Sequence, residues 1–238
     1  MSLASYRART VGEIVDATFN LYRAKFATVV TVAMLVVAPP AIIKAAAPVE
    51  WQWIIELAGN LLSPVALGAI AAIVAAFVER DESLDVGDAL RSTSGLIGSL
   101  IAVQVASGLM VLVGLVLLVV PGLIALAWTA VAVPVVMIER LGYSRAIDRS
   151  RTLARGRWGH VVGTMLLSWG LALLFMIGGG VIAGIVGRTG EILVELLFAV
   201  ALPVPAIAMS LLYYDLRVRT ESADLDAMIS ALPPTPAL

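Results

Sequence analysis

Between Ser92 and Ile138 run 47 residues without one charged side chain. As a single helix, rising about 1.5 Å per residue, that run would measure roughly 70 Å. The hydrocarbon core of a bilayer is only ~30 Å thick. The run must therefore fold as two membrane spans joined by an uncharged hairpin, expected at Val119-Val120-Pro121-Gly122. Four further charge-free apolar runs, at residues 26–43, 57–78, 161–187 and 196–214, each reach the length a crossing helix needs. The sequence thus predicts an all-α integral membrane protein with six transmembrane helices arranged in three hairpins.

Composition agrees. Hydrophobic residues make up 61% of the chain and charged ones 14%, outside the soluble range. With six spans in 238 residues, too little remains for a separate soluble domain, and one transmembrane domain over residues 26–219 is expected. Residues 1–25 precede it as an amphipathic cytoplasmic segment, and residues 220–238 follow as a cytoplasmic tail ending in Pro233-Pro234-Thr235-Pro236. No cleavable signal peptide is expected, because the first apolar run begins only at Phe26, behind a charged segment. Zero cysteines exclude disulfides, thiolate metal sites and cysteine nucleophiles together.

The basic residues fix the expected orientation. Arg7, Arg9, Arg23 and Lys25 precede span 1, and Arg80 and Arg91 lie between spans 2 and 3. Arg140, Arg145, Arg149, Arg151, Arg155 and Arg157 lie between spans 4 and 5, and Arg217 and Arg219 follow span 6. Fourteen of the sixteen basic residues thus fall on one side, leaving Lys44 and Arg188 on the other. The positive-inside rule puts the fourteen, and both termini, in the cytoplasm.

The chain reads as three copies of one unit, a short amphipathic segment followed by a pair of spans. Aligning the segments matches Ile14 with Ala89 and Ala146, and Val15 with Leu90 and Ile147. The even spans also end alike, at Glu79-Arg80, Glu139-Arg140 and Asp215-Leu216-Arg217. In the first segment Val11, Ile14, Val15, Thr18, Phe19 and Tyr22 form an apolar stripe at helical period, with Glu13 and Asp16 on the opposite face. Thr10-Val11-Gly12-Glu13 fits a capping box, in which the Thr10 and Glu13 side chains satisfy free N–H groups at the helix start. Such a helix either lies in the interface with its stripe toward the acyl chains or packs on the inner end of the bundle.

The third segment is the most basic. Arg145, Arg149, Arg151, Arg155 and Arg157 stand beside a span, followed by Trp158, an aromatic of the type that sits at headgroup depth. Arginines so placed set topology and also suit anionic lipid headgroups. The segment is short, membrane-bound and lacks interleaved aromatics, so nucleic acid is not an expected partner.

Polar residues at membrane depth are the default places to look for function, because burying them is costly. Span 2 opens with Glu56 and Asn60 at i, i+4, span 6 with Glu191 and Glu195 at the same spacing, and Gln104 lies within span 3. The acids would form a cation-attracting vestibule if spans 2 and 6 were neighbours, or else pair with Lys44 and Arg188. Prolines recur in the spans, at Pro39, Pro40, Pro64, Pro134, Pro203 and Pro205, where each removes a helix hydrogen bond. Gly178-Gly179-Gly180 and Gly184 would permit close helix contact and possible self-association. No nucleophile elbow, phosphate loop or metalloprotease motif occurs, and the single histidine, His160, reads as an interfacial residue. No catalytic residue, metal or cofactor is expected. Glu79, Glu139 and Asp215 would make a cytoplasmic acidic ring about a common axis, or simply ion-paired helix ends.

Three stretches resemble the membrane domain of the glycerophosphoryl diester phosphodiesterase family, a group of bacterial multi-span proteins. They are Gly12-Glu13-Ile14-Val15-Asp16-Ala17 running on to Phe26, the stretch from Pro134 to Gly156 through Glu139, Gly142 and Arg149-Ser150, and Tyr213-Tyr214-Asp215-Leu216-Arg217-Val218-Arg219 with Glu221 and Asp224-Leu225. Ser222 departs from the glycine that usually follows the glutamate. The resemblance implies a six-span protein of the bacterial inner membrane. It transfers no active site, since the catalysis of fused relatives resides in a domain this sequence does not supply.

The functional expectation is a non-enzymatic membrane protein that organises or binds anionic lipid or a membrane partner protein. Its contacts would be Arg145, Arg149, Arg151, Arg155, Arg157, Glu13 and Asp16. The alternative is a transporter of a small solute or lipid, using Glu56, Asn60, Gln104, Glu191 and Glu195, which requires a water-accessible cavity reaching mid-membrane.

Overall fold

A computed structural model describes residues 8–186 and 188–230; within these, the side chains at 175, 182–183, 185–186, 188–189, 191–192 and 223–230 are outside the description. The described residues form eleven helices and no strand: α1 (Val11–Ala24), α2 (Phe26–Ala46), α3 (Val49–Arg80), α4 (Val86–Thr93), α5 (Ile97–Leu117), α6 (Val119–Thr129), α7 (Ala132–Glu139), α8 (Tyr143–Ala154), α9 (Trp158–Val186), α10 (Arg188–Ala201) and α11 (Pro203–Ser230). Six continuous or nearly continuous rods among them are long and apolar enough to cross a membrane: Phe26–Ala46, Val49–Arg80, Ile97–Leu117, Val119–Glu139, Trp158–Val181 and Leu193–Ser222. The protein is a multi-pass, all-helical membrane protein. Pro233-Pro234-Thr235-Pro236 lies outside the described residues.

The uncharged turn lies slightly upstream of its expected place. Leu118 alone is extended, at φ −168° and ψ 156°, and α6 begins at Val119. Pro121 falls in the first turn of α6, where a missing N–H costs nothing, so the proline starts the helix instead of making the turn. Two glycines permit the tight return. A Cβ on Gly114 would stand 2.8 Å from the Cα and N of Gly122, so only hydrogen fits between the two backbones.

Prolines stand at both breaks in the rods and also within whole ones. Pro39, Pro40 and Pro64 are accommodated within unbroken α2 and α3. Span 4 is interrupted at Ala130-Val131, where Pro134 cannot donate to the Ala130 carbonyl four residues back. Span 6 is interrupted at Leu202, where Pro203 and Pro205 withhold the bonds to the Ala199 and Ala201 carbonyls.

The sixth rod is the centre of the assembly. Of its most apolar stretch 72% is buried within the bundle, against 17% for α5. Ile207, Leu211, Leu212, Tyr213 and Leu216 are sealed in a core shared with Ile70, Ile73 and Val74 of α3, Val135 and Val136 of α7, and Val161 of α9. The many exposed apolar side chains of α5 and α9, such as Leu112, Val116, Leu166 and Leu174, suit lipid as solvent.

Three short helices, α1, α4 and α8, each precede a span and bury matching positions. Ile14, Ala89 and Ala146 are all fully buried. Four residues further each helix buries a hydroxyl, at Thr18, Thr93 and Ser150. Another three residues on, Leu21 and Leu153 are buried and Leu96 packs against the same core. The α1 stripe thus faces the bundle, chiefly α11 and α9, and not open acyl chains. Its start is held as its sequence requires: the Glu13 backbone N–H donates to Thr10 Oγ1, and the Thr10 backbone N–H to Glu13 Oε2 at 2.8 Å.

Candidate functional site

Two polar features stand out from the apolar bundle. The first closes the arginine-bearing end. Three consecutive residues of α11 reach three different partners there. The Tyr213 hydroxyl donates to Glu139 Oε1 at 2.9 Å, at the end of α7. The Tyr214 hydroxyl donates to Glu79 Oε1 at 2.8 Å, at the end of α3. Asp215, its side chain only 1% exposed, accepts from Arg219 Nε at 2.7 Å, lies 2.9 Å from His160 Nε2 at the start of α9, and accepts the Arg9 backbone N–H just ahead of α1. One tripeptide therefore ties together the ends of spans 2 and 4, the start of span 5 and the approach to α1.

Glu79, Glu139 and Asp215 do not converge in a ring. Each turns to a separate partner, and none pairs with the arginine nearest in sequence. Glu139 bonds Arg149 at 3.0 Å instead of Arg140, and Asp215 bonds Arg219 instead of Arg217. The His160–Asp215 contact joins residues 55 apart, so no local sequence signal announced it. Arg219 at i+4 from Asp215 was the one member readable from spacing.

The expected basic surface is divided between structural and free arginines. Arg149 bridges Glu139 and Glu221, the latter at 3.6 Å. Arg151 stacks over the Trp128 ring, 4.1 Å from its centroid. Arg157 donates to Thr220 Oγ1 and the Arg219 carbonyl, pinning the loop before α9 to α11. Arg145 and Arg155 are exposed and have no partner among the described residues, and the exposed Trp158 is near Arg155 in sequence. Glu13 is committed to its helix cap, and Asp16 is exposed on α1.

The second feature is a cleft of about 410 Å³ halfway along the rods. Its walls come from α3, α5, the break between α6 and α7, α9, and the break between α10 and α11. Asn60 and Gln104 both line it, as do Ser107, Thr129, Trp169 and Ser210. A smaller cavity of about 100 Å³ adjoins it, sharing Asn60, Ser63 and Phe198 as walls. Lys44, Glu56 and Glu195 line this smaller space, with Lys44 Nζ 3.3 Å from Glu56 and 3.2 Å from Glu195. Spans 2 and 6 are thus bridged through Lys44 of span 1, whose single charge is shared by the two acids. The Glu191 side chain lies outside the described residues.

Of the five polar residues expected along a path, Asn60 and Gln104 line the larger cleft, and Glu56 and Glu195 line the smaller cavity that shares Asn60 as a wall. Sequence reasoning did not single out Ser107, Thr129, Ser210 or Trp169, whose types are common in any membrane helix. The hydroxyls of Thr129 and Ser210 donate to carbonyls four residues back, while Ser107 Oγ is buried with no partner among the described residues. The Tyr22 hydroxyl of α1 donates to the Val200 carbonyl at 2.9 Å, close to the span 6 break. Burial pushes that phenol up from its ordinary value, which keeps it a donor.

Among the described residues no group of three acidic, histidine or cysteine side chains is placed to hold a metal ion. No family model matches the chain, and no curated protein or solved structure matches it.

Proposed function

We propose that this chain is a non-enzymatic protein of the bacterial inner membrane that admits a small solute or lipid to the mid-membrane cleft, as a transporter does. The observation that carries this reading is that both broken rods break at the cleft. Ala130, Val133 and Pro134 line it from span 4, and Leu202, Pro205 and Ala206 from span 6. In hydrocarbon an unpaired carbonyl is costly, so interrupted helices are tolerated where they border a cavity. Pro39 and Pro64, which line neither cavity, leave their helices whole, as does Pro40, which lines only the smaller one.

The remaining calls follow as parts of the same proposal. The fourteen basic residues on one side support an orientation with both termini cytoplasmic. The matched burial of α1, α4 and α8 supports a threefold repeat of a short interfacial helix and a hairpin. The tripeptide at 213–215, the most specific stretch of the family resemblance, is also the one that joins the helix ends, which favours kinship with that family's membrane domain.

The test is aqueous access. The chain has no cysteine, so single cysteines need no altered background. Ser63→Cys, Val111→Cys and Ala130→Cys in sealed vesicles should react with a membrane-impermeant thiol reagent, and Leu174→Cys on the outer face of α9 should not. Three unreactive cleft positions would defeat the reading.

A second reading rests on Arg145 and Arg155. Exposed, unpaired among the described residues and accompanied by Trp158, they support contact with anionic headgroups at the arginine end, whether or not the cleft carries anything.

A further inference from the structure

We infer that the cleft takes an uncharged amphiphile, a lipid-like molecule whose polar part carries hydroxyl or carbonyl groups and no net charge. This rests on the cleft being an accessible site, as proposed above, and adds the chemical class of its occupant.

The argument begins with what the walls lack. Among the described residues around the 410 Å³ space there is no lysine, arginine, aspartate or glutamate. A phosphate or ammonium group placed there would lose its hydration with no opposite charge to replace it, which is strongly unfavourable in a low-dielectric interior. Lys44, Glu56 and Glu195 line the adjoining cavity instead, where the lysine is already engaged by both glutamates.

What the walls supply narrows the class from the other side. The Asn60 and Gln104 amides make no hydrogen bond among the described residues, and both are exposed within the bundle's cleft. Ser107 Oγ, on the same face of α5 as Gln104, is buried and unpartnered. Each amide offers two donors and an acceptor, and the serine one of each. A purely hydrocarbon occupant would leave all of them unmet at membrane depth, whereas hydroxyl or ester carbonyl groups would satisfy them. Thr129 and Ser210 have spent their hydrogens on their own helices, so they add acceptors only and favour an occupant that can itself donate. Trp169, Phe198, Met165 and Leu126 then form the apolar remainder of the wall, suited to a chain or ring. The volume lies within the range typical of sites for small organic ligands.

The experiment is protection of a cleft cysteine. Val111→Cys leaves every polar wall residue in place. The protein, reconstituted in phosphatidylethanolamine and phosphatidylglycerol vesicles, is labelled with an aqueous thiol reagent alone, with monoolein, and with oleoyl-lysophosphatidylglycerol. The two probes share an acyl chain and a glycerol and differ by an anionic phosphodiester and the second glycerol it bears. Monoolein should slow labelling at a half-effective concentration at least tenfold below that of the anionic probe. Adding Asn60→Leu and Gln104→Leu should raise the monoolein concentration needed by about tenfold, the loss of roughly two net hydrogen bonds.

Equal or better protection by the anionic probe overturns the inference. Labelling that neither probe slows also overturns it, while leaving the accessible cleft intact. An unchanged monoolein requirement in the double-leucine background removes the amides from the site and with them the argument. A cysteine that never labels, even without a probe, defeats the accessible cleft itself.

Discussion

The Tyr214 hydroxyl meets the Glu79 carboxylate at 2.8 Å across 135 residues of sequence, and the Tyr213 hydroxyl meets Glu139 at 2.9 Å across 74. Adjacent tyrosines on one helix thereby hold the ends of two others. Glu79 is exposed and can be rehydrated when its partner is lost, whereas Glu139 is only 21% exposed. Tyr213→Phe should therefore cost about 1–1.5 kcal/mol and Tyr214→Phe about 0.5–1 kcal/mol. Thermal unfolding of the two variants in detergent checks the order, and equal costs would contradict it.

Asp215 is more heavily engaged than either tyrosine. Asp215→Asn keeps the shape but removes the charge facing Arg219 and His160, whose side chains are 29% and 18% exposed. Breaking a fully buried pair costs about 3–5 kcal/mol, and the partial exposure here brings the expected loss to about 2–3 kcal/mol. The same unfolding measurement tests it. A neutral result would mean the cluster contributes no net stability.

Gly114 and Gly122 set the separation of α5 and α6. Gly114→Ala would press a methyl onto the Gly122 backbone, which cannot yield like a side chain, and should destabilise by about 2 kcal/mol or more. Gly108→Ala, whose Cβ would meet nothing within 4 Å, should instead be neutral or stabilising by up to about 1 kcal/mol. Melting temperatures of the pair separate a packing role from a general intolerance of α5 to substitution.

Lys44 stands between two carboxylates that would otherwise face each other. Lys44→Gln should cost about 0.5–1 kcal/mol at low salt, less at high salt because the three side chains are partly exposed and screened. Adding Glu195→Gln should restore most of the loss. Salt-dependent unfolding of the single and double variants decides whether the lysine neutralises or merely packs.

The arginines divide into two groups with opposite expected phenotypes. Arg149→Ala and Arg157→Ala should lower stability by about 1–2 kcal/mol, since each abandons partners on α11. Arg145→Ala and Arg155→Ala should leave stability unchanged and weaken association with anionic lipid by about 1 kcal/mol each, read by retained phosphatidylglycerol. If all four behaved alike, the division would be wrong.

How much of this was legible depends on how far apart the cooperating residues lie. The charge-free runs located the rods, because no charge can be hidden at membrane depth. They underestimated span 2, whose helix runs from Val49 to Arg80, since charges such as Glu50 and Glu56 are tolerated near a helix end. The capping box at Thr10 and Glu13 was readable because it spans three residues. The grouping of Asn60 with Gln104, and of Asp215 with His160, was not, because spacing within a helix says nothing of its neighbours. Prolines announced that rods would bend, but only packing shows that the two breaks share a cleft.

The position of Tyr213-Tyr214-Asp215 in the chain has a consequence for biogenesis. Glu79, Glu139, His160 and Arg9 are all synthesised before the tripeptide that joins them. A chain that has made five spans still lacks this keystone: Glu79 and His160 are without these partners, and Glu139 has only Arg149. The joining of these helix ends to one another therefore waits for the last rod to be made.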